Sequence, residues 1–410
     1  MAAGDRNCER DPRIVEPNDM KHTRRTGIWF GLAAVIAMAP PVGSQAPSST
    51  IPLRTGLTIV TAVNEPERGD YESLKRVTEV SERGVTLSIS GDAPVIEEDP
   101  LAALLGQNKA RPAGKLETRS FRVRRTVRRE DLSNAHEYVQ SFWENTPETF
   151  PGSTALGASS VVLSELKTKG QTELTIFDRS GAVGALGGLL GGLLGAQASK
   201  ELDDSFKATG TLRLVKGGPS TLTVLVNGTP TPLPVVHARG TLGEFASEFF
   251  FLDDGANPLS LKYSYGKTRL QVVRIEFPAD AKTAGSGSRT IETQLAANGK
   301  AEIYGIYFDF ASDRIKEESE PVLTEIATAL TDNPAWSLSV NGHTDSIGGD
   351  AANLDLSKRR AAAVRQTLVT HYKVTASRLT TEGVGASRPK DTNATLEGRA
   401  RNRRVELIRK

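Results

Sequence analysis

Asp345, Arg359 and Arg360 are the charged residues whose placement most suggests chemistry. A strand-like stretch over residues 337–340 runs into Asn341, Gly342, His343, Thr344 and Asp345. Asp345 therefore stands at a strand end, just past the core-facing positions. Further on, Ser357 reads as the N-cap of a helix whose buried stripe is Ala361, Val364 and Leu368. Arg360 then falls in the first helical turn, where the macrodipole prefers an anion to a cation. A guanidinium fork beside free backbone N–H groups suits an incoming carboxylate. Asp345 offers the complementary charge for an ammonium, so the ligand satisfying both carries amine and carboxylate on one carbon. The same two charges can instead pair with each other, and their spacing alone leaves both outcomes open.

Catalytic patterns are missing from the sequence. The five histidines (His22, His136, His237, His343 and His371) show no HExxH or paired ligand spacing. Cys8 is the only cysteine, which excludes an intrachain disulfide and any CxxC site. No GxSxG and no phosphate-cradling glycine loop occurs. The expectation is a binding protein, not an enzyme, with no metal and no cofactor. A formal net charge of +2 without an aromatic-basic platform points away from nucleic acid.

Two kinds of periodicity divide the chain. From residue 57 to 277 the pattern is mainly extended, with period-two alternation over residues 85–90, 211–215, 221–226, 259–265 and 270–275. Asn227-Gly228, Asp254-Gly255 and Gly266-Lys267 mark turns, and a helical piece is expected over 132–143. These strands look shorter than the roughly 9–11 residues a membrane barrel needs. Arg122, Arg124, Arg125, Arg128 and Arg129 crowd one of them, which reads as a solvated strand face. From residue 299, helix-period and strand-period segments alternate. The fold class is α+β: a β-rich, mainly antiparallel domain over 47–278, a flexible linker over 279–298, and an α/β two-layer sandwich over 299–410.

Residues 180–199 are 20 uncharged positions with seven glycines and five leucines. Gly184, Gly188 and Gly192 have the spacing that lets helices approach closely. A loop or packing helix is one reading; a membrane-inserting hairpin, or one joining a homo-oligomer, is the other. At the N-terminus, an apolar run over 27–38 follows Lys21, Arg24 and Arg25 and precedes Ser44-Gln45-Ala46. That is the layout of a secretory signal peptide over 1–46, with 1–19 a possible non-native extension ahead of Met20. Export to the periplasm is the expectation, with cleavage leaving a chain that starts near Pro47.

The order Gly342, His343, Thr344, Asp345, Gly348, Asn353, Leu356, Ser357, Arg360, Ala361 resembles the OmpA-like peptidoglycan-binding family. Gly383, Gly385, Pro389, Asn393, Gly398, Asn402, Arg403 and Val405 continue the match. The resemblance covers the last 110 or so residues and implies that peptidoglycan is the partner, held through the diaminopimelate of its peptide stem. By this resemblance Asp345 takes the ammonium and Arg360 the carboxylate, while Thr344, Asn353, Leu356 and Arg403 line the same pocket. Ala311 departs from the pattern, since relatives often place a polar residue there. Association with the cell wall or outer membrane follows as an expectation, with the β-rich domain as the tethered part. The alternative is a lipid- or protein-binding module for which the C-terminal domain is only an anchor.

Overall fold

The computed structural model describes residues 51–65, 69–94, 118–139, 148–177, 207–278 and 290–410. The expected signal segment, the glycine-rich stretch 180–199 and the first part of the expected linker lie outside these residues.

The β-rich half begins with β1 (Thr58–Glu65), β2 (Gly69–Ser81), β3 (Gly84–Pro94) and β4 (Thr118–Arg128), then α1 (Arg129–Asn134). It continues with β5 (Glu137–Val139), β6 (Ser153–Thr154), α2 (Ser160–Lys169), β7 (Gln171–Phe177), β8 (Lys207–Leu214) and β9 (Thr221–Val226). The long β10 (Thr229–Leu242) and then β11 (Phe245–Leu252), β12 (Ser260–Tyr265) and β13 (Thr268–Glu276) complete it. All belong to one 13-stranded sheet, in the order β4-β3-β2-β1-β13-β12-β11-β10-β8-β7-β5-β6, with β9 pairing both β10 and β13. The pairings are antiparallel except at β5–β6, β5–β7 and β9–β13.

Local chemistry explains the fold-back of β9. Asn227 and Gly228 take φ of 47° and 75°, the left-handed pair of a tight hairpin turn. The first half of β10 carries Pro230, Pro232 and Pro234 at alternate positions and pairs with β9. Proline has no N–H to donate, so that stretch suits a strand with only one ladder partner. Its second half pairs with β11 and β8.

β1 is buried on both faces, so its sequence TIVTAV reads as a nearly continuous apolar run. Ile59 joins Val77, Leu87, Ile89, Leu252 and Leu261 in the main interior core. Val60 and Ala62 point the other way and pack with Leu74 and Val273 against Tyr307 and Ala400 of the C-terminal half. A second interior core packs Val162, Leu163 and Leu166 of α2 on Leu174, Leu212, Phe249 and Phe251.

The C-terminal half runs α3 (Thr290–Asn298), β14 (Lys300–Ile303), α4 (Glu320–Asp332), β15 (Leu338–His343), α5 (Asp350–Thr370), β16 (Leu379–Gly385), α6 (Leu396–Asn402) and β17 (Val405–Arg409). Its four-stranded sheet has the order β14-β17-β15-β16, with β15 and β16 parallel. Leu323, Ile326 and Leu330 of α4 and Ala361, Val364 and Leu368 of α5 cover one face of it. The expected two-layer sandwich is present.

Four expectations are corrected. Of the helical piece expected over 132–143, the described part is instead α1 over Arg129–Asn134 followed by β5 over Glu137–Val139, and residues 140–143 lie outside the described residues. Glu130 and Asp131 stand in the first turn of α1, where acidic residues favour a helix start. The second part of the linker is helix α3, because Ile291 and Leu295, four apart, both enter the C-terminal core. Several strands are longer than expected: β2 has 13 residues, β4 has 11 and β10 has 14. The arginine cluster is not uniformly solvated either. Arg125 is buried with its guanidinium over the Phe150 ring at 3.9 Å, and burial pulls its pKa down to about 10. Among the described residues no helix is long and apolar enough to cross a membrane.

Candidate peptidoglycan-binding site

The loop after β15 and one face of α5 build the site. Thr344 N–H donates to Gly385 O at 3.0 Å, which ties the loop to the end of β16. Asp345 Oδ1 accepts from Ile347 N at 2.9 Å, and Asn353 Nδ2 donates to Asp345 O at 3.1 Å. Asp345 is thus held through both its side chain and its backbone carbonyl. Asn353, Leu356 and Arg360 follow one another at spacings of three and four, so they share a face of α5. Asn353 is buried, and Leu356 and Arg360 are half-buried.

The helix itself starts earlier than the sequence suggested. Gly349, with φ of 87°, precedes its first residue, and Asp350 supplies an acidic side chain to the first turn. Ser357 is buried two turns in, where its hydroxyl donates to Leu354 O at 2.8 Å and accepts from Gly385 N at 2.9 Å. It pins α5 to β16 rather than capping the helix. Arg360 is therefore a mid-helix residue, and the helix dipole gives no reason for its charge.

Of the two outcomes left open above, direct pairing of Asp345 with Arg360 is absent. Asp345 Oδ2 accepts from Arg403 Nη1 at 2.6 Å, not from Arg360. Arg360 lies over the Phe308 ring at 4.8 Å and donates through Nε to Ser312 O at 2.9 Å and through Nη2 to Asp309 O at 3.4 Å. Burial and the neighbouring Arg403 charge lower its pKa to about 10, so it stays cationic at neutral pH. Among the described residues it makes no ion pair. Arg359, by contrast, is exposed and pairs with Asp313 and Asp355, both at 2.9 Å. Ala311 sits exposed on the neighbouring loop with φ of 50°. That wall of the site offers the Arg360 fork backbone carbonyls.

One further feature favours a polar ligand. Thr344 Oγ1 is buried and has no hydrogen-bond partner among the described residues. Asn402 holds the loop before α6, accepting from Lys390 N at 2.7 Å and Asp391 N at 2.9 Å, and so sets the backbone from which Arg403 projects. Arg404 goes elsewhere, toward the carbonyls of Asn402 and Arg388. The six expected site residues fall on the β15–α5 loop, one face of α5 and the end of α6, with Asp345 and Arg403 in contact.

The site also contains a residue that sequence reasoning missed. Glu72 of β2 accepts from Arg403 Nη2 at 2.5 Å and Nε at 3.2 Å, and from Arg274 Nη2 at 2.8 Å. Burial alone would raise its pKa, but the Arg274 and Arg403 guanidiniums hold it down to about 2. Nearby, Tyr307 donates its hydroxyl to Glu276 at 2.6 Å, and burial pushes the Glu276 carboxyl above its ordinary range.

His343, beside Thr344, is a packing residue. It is 3% exposed, and burial, then the Arg404 and Arg388 charges, lowers its pKa to about 4. The folded ring thus stays neutral from pH 6.5 down to about 4, while the unfolded ring takes a proton over that window. Stability contributed by the neutral ring is lost as pH falls through the window. Denaturant unfolding at pH 6.5 and pH 4.5 should show His343→Phe losing about 2 kcal/mol less than the unmodified chain. Equal losses would count against a neutral buried ring.

Residues 307–403 match the OmpA family. The chain is 48% identical over 101 residues to outer membrane porin F of Pseudomonas aeruginosa, a match covering 25% of this chain and 29% of the porin. The chain therefore spans less than a third of that relative's length. Among solved structures it is similar to the cell wall anchor of the T6SS from Pseudomonas aeruginosa, at 34% identity over 29% of this chain and 93% of the anchor, with a TM-score of 0.25. It is also similar to the peptidoglycan-associated lipoprotein from Burkholderia pseudomallei, at 28% identity over 26% of this chain and 88% of that protein, with a TM-score of 0.24. The loop carrying Asp345, the α5 face carrying Arg360 and the end of α6 carrying Arg403 all lie inside residues 307–403, the segment that matches the OmpA family.

Proposed function

We propose that the C-terminal half binds peptidoglycan non-covalently and tethers the β-rich half to the cell wall, as an envelope protein with no catalytic role. The site would take the free amino-acid end of diaminopimelate in the peptide stem, with Asp345 receiving the ammonium and Arg360 the carboxylate. Thr344, Asn353, Leu356 and Arg403 would line the pocket. The observation that carries this reading is Arg360 itself. It is a cation over an aromatic ring, a short distance along the site from a carboxylate, with only neutral carbonyl oxygens bonded to it. An incoming carboxylate would give this guanidinium the ion pair it lacks among the described residues, in the fork geometry that suits a carboxylate. The similarity of residues in the C-terminal half to an outer membrane porin agrees with export and an envelope location.

Sedimentation of the full chain with purified sacculi tests the site. Asp345→Ala and Arg360→Ala should each weaken retention by about tenfold or more, as loss of a hydrogen bond to a charged group costs roughly 1.5–3 kcal/mol. Retention of both variants at the level of the unmodified chain would overturn the assignment.

A further inference from the structure

The acidic end of β2 lies on the site just described. Asp70, Glu72 and Leu74 alternate along the strand and share the face turned toward the C-terminal half. Leu74 packs there beside Val60, Ala62, Val273, Tyr307 and Ala400. Glu72 engages Arg403 through two donors, and Asp70 pairs with Arg399 at 2.5 Å, both of these side chains being largely buried. A second contact, from β3, reaches the loop that faces Arg360. Asp92 pairs with Lys316 at 2.9 Å and accepts from Phe310 N at 3.1 Å.

Carboxylates of the β-rich half thus occupy cationic and N–H groups around a pocket suited to a carboxylate-bearing ligand. Arg403 has Asp345 on one terminal nitrogen and Glu72 on the other terminal nitrogen and Nε, so its fork is taken. Arg274, behind Glu72 and itself buried, holds that carboxylate in place. The arrangement has the chemistry of a bound ligand, supplied by the chain itself.

We propose that Asp70 and Glu72 act as an internal ligand of the peptidoglycan site, so that docking of the β2 face and full engagement of the peptide stem compete. The proposal rests on the assignment of the site to peptidoglycan. When the stem displaces Glu72, the salt bridges of β2 to Arg403 and Arg399 open, and the β-rich half is freed from the wall-binding half. Cell-wall attachment is then coupled to exposure of the β1–β2 face.

The test compares sacculus binding of the full chain with that of Asp70→Asn, Glu72→Gln and the double variant, with Asp345→Ala alongside and thermal unfolding recorded for each. Both single variants should bind more tightly, and the double variant on the order of tenfold more tightly, while Asp345→Ala loses binding. If the β2 variants bind no better than the unmodified chain while Asp345→Ala loses binding, competition is refuted and the site assignment stands. If Asp345→Ala binds normally, the site assignment fails and the proposal falls with it. Glu72→Gln leaves the buried Arg274 without its carboxylate; should that variant fail to fold, Asp70→Asn carries the same two outcomes, because Asp70 pairs with Arg399 and not with Arg274.

Discussion

Gly342→Ala should destabilise the C-terminal half by at least about 3 kcal/mol and abolish retention on sacculi, although the change adds a single methyl group. A Cβ at Gly342 would stand 2.3 Å from Ser357 O, with the carbonyl carbon of Ser357 at 3.1 Å and its Cα at 3.3 Å. All three are backbone atoms of α5, so no side-chain rotation relieves the clash. Ser357 is in turn anchored by its hydroxyl to Gly385 N, which fixes the helix against the neighbouring strand as well. Either α5 moves outward, opening the core around Ala361, Val364 and Leu368, or β15 bends. Both displacements separate Asp345 from Asn353 and Arg360. Close approach of α5 to β15 is therefore a condition for the site, and glycine at 342 permits it. Gly255→Ala serves as the control, since a Cβ there meets nothing within 4 Å. Urea unfolding of both variants checks the prediction; a Gly342→Ala midpoint equal to that of Gly255→Ala would count against it.

The parts of this architecture that were legible in the sequence are those written in local periodicity. The alternation over residues 85–90 and 221–226 lies within β3 and β9, that over 211–215 overruns β8 by one residue, and Asn227-Gly228 forms the tight hairpin turn. The α5 stripe of Ala361, Val364 and Leu368 enters the core as its spacing requires. The errors have equally local causes. Ser357 looks like a cap because a hydroxyl before an apolar stripe usually is one, whereas Gly348, Gly349 and Asp350 carried the true start. Thr290–Asn298 looks like linker because its residues are small and polar, and only Ile291 and Leu295 betray the buried face. Leu132 follows a helix start at Arg129 that is cut short within two turns, and the chain then extends into β5.

The site was legible up to the boundary of its own domain. Asp345 and Arg403, 58 positions apart, appear together in an ordered motif and meet in the fold. Glu72 lies 331 positions from Arg403, in a strand whose alternation records only which face each residue occupies. No spacing rule connects residues at that distance. What the sequence did contain was a strand, β2, with acidic residues on one face and Lys75 and Val77 on the other. The three-dimensional arrangement turns the acidic face onto three arginines, Arg274, Arg399 and Arg403.

The opposite face of β2 sets up the second large effect. Lys75 points into the β-rich core, 6% exposed, with Nζ donating to Ala155 O at 2.8 Å and Ile59, Tyr138, Leu156 and Tyr263 around it. Burial, and then the nearby Arg125 charge, lowers its pKa from 10.5 to about 7. Between those values the unfolded chain holds a proton on Lys75 that the folded chain has released. Stability must then rise with pH across that window, the reverse of what a paired surface lysine gives. From pH 7 to pH 9.5 the contribution amounts to about 3 kcal/mol. Lys75→Met keeps the length and most of the volume of the side chain and removes the titration. Urea unfolding at the two pH values should show a gain in the unmodified chain that exceeds the gain in Lys75→Met by about that amount. Loss of the Ala155 hydrogen bond lowers the variant's stability at both pH values alike, so it cancels in the comparison. Equal gains in the two chains would show that Lys75 is charged in the fold, and the interior of the β-rich half would then have to solvate a cation.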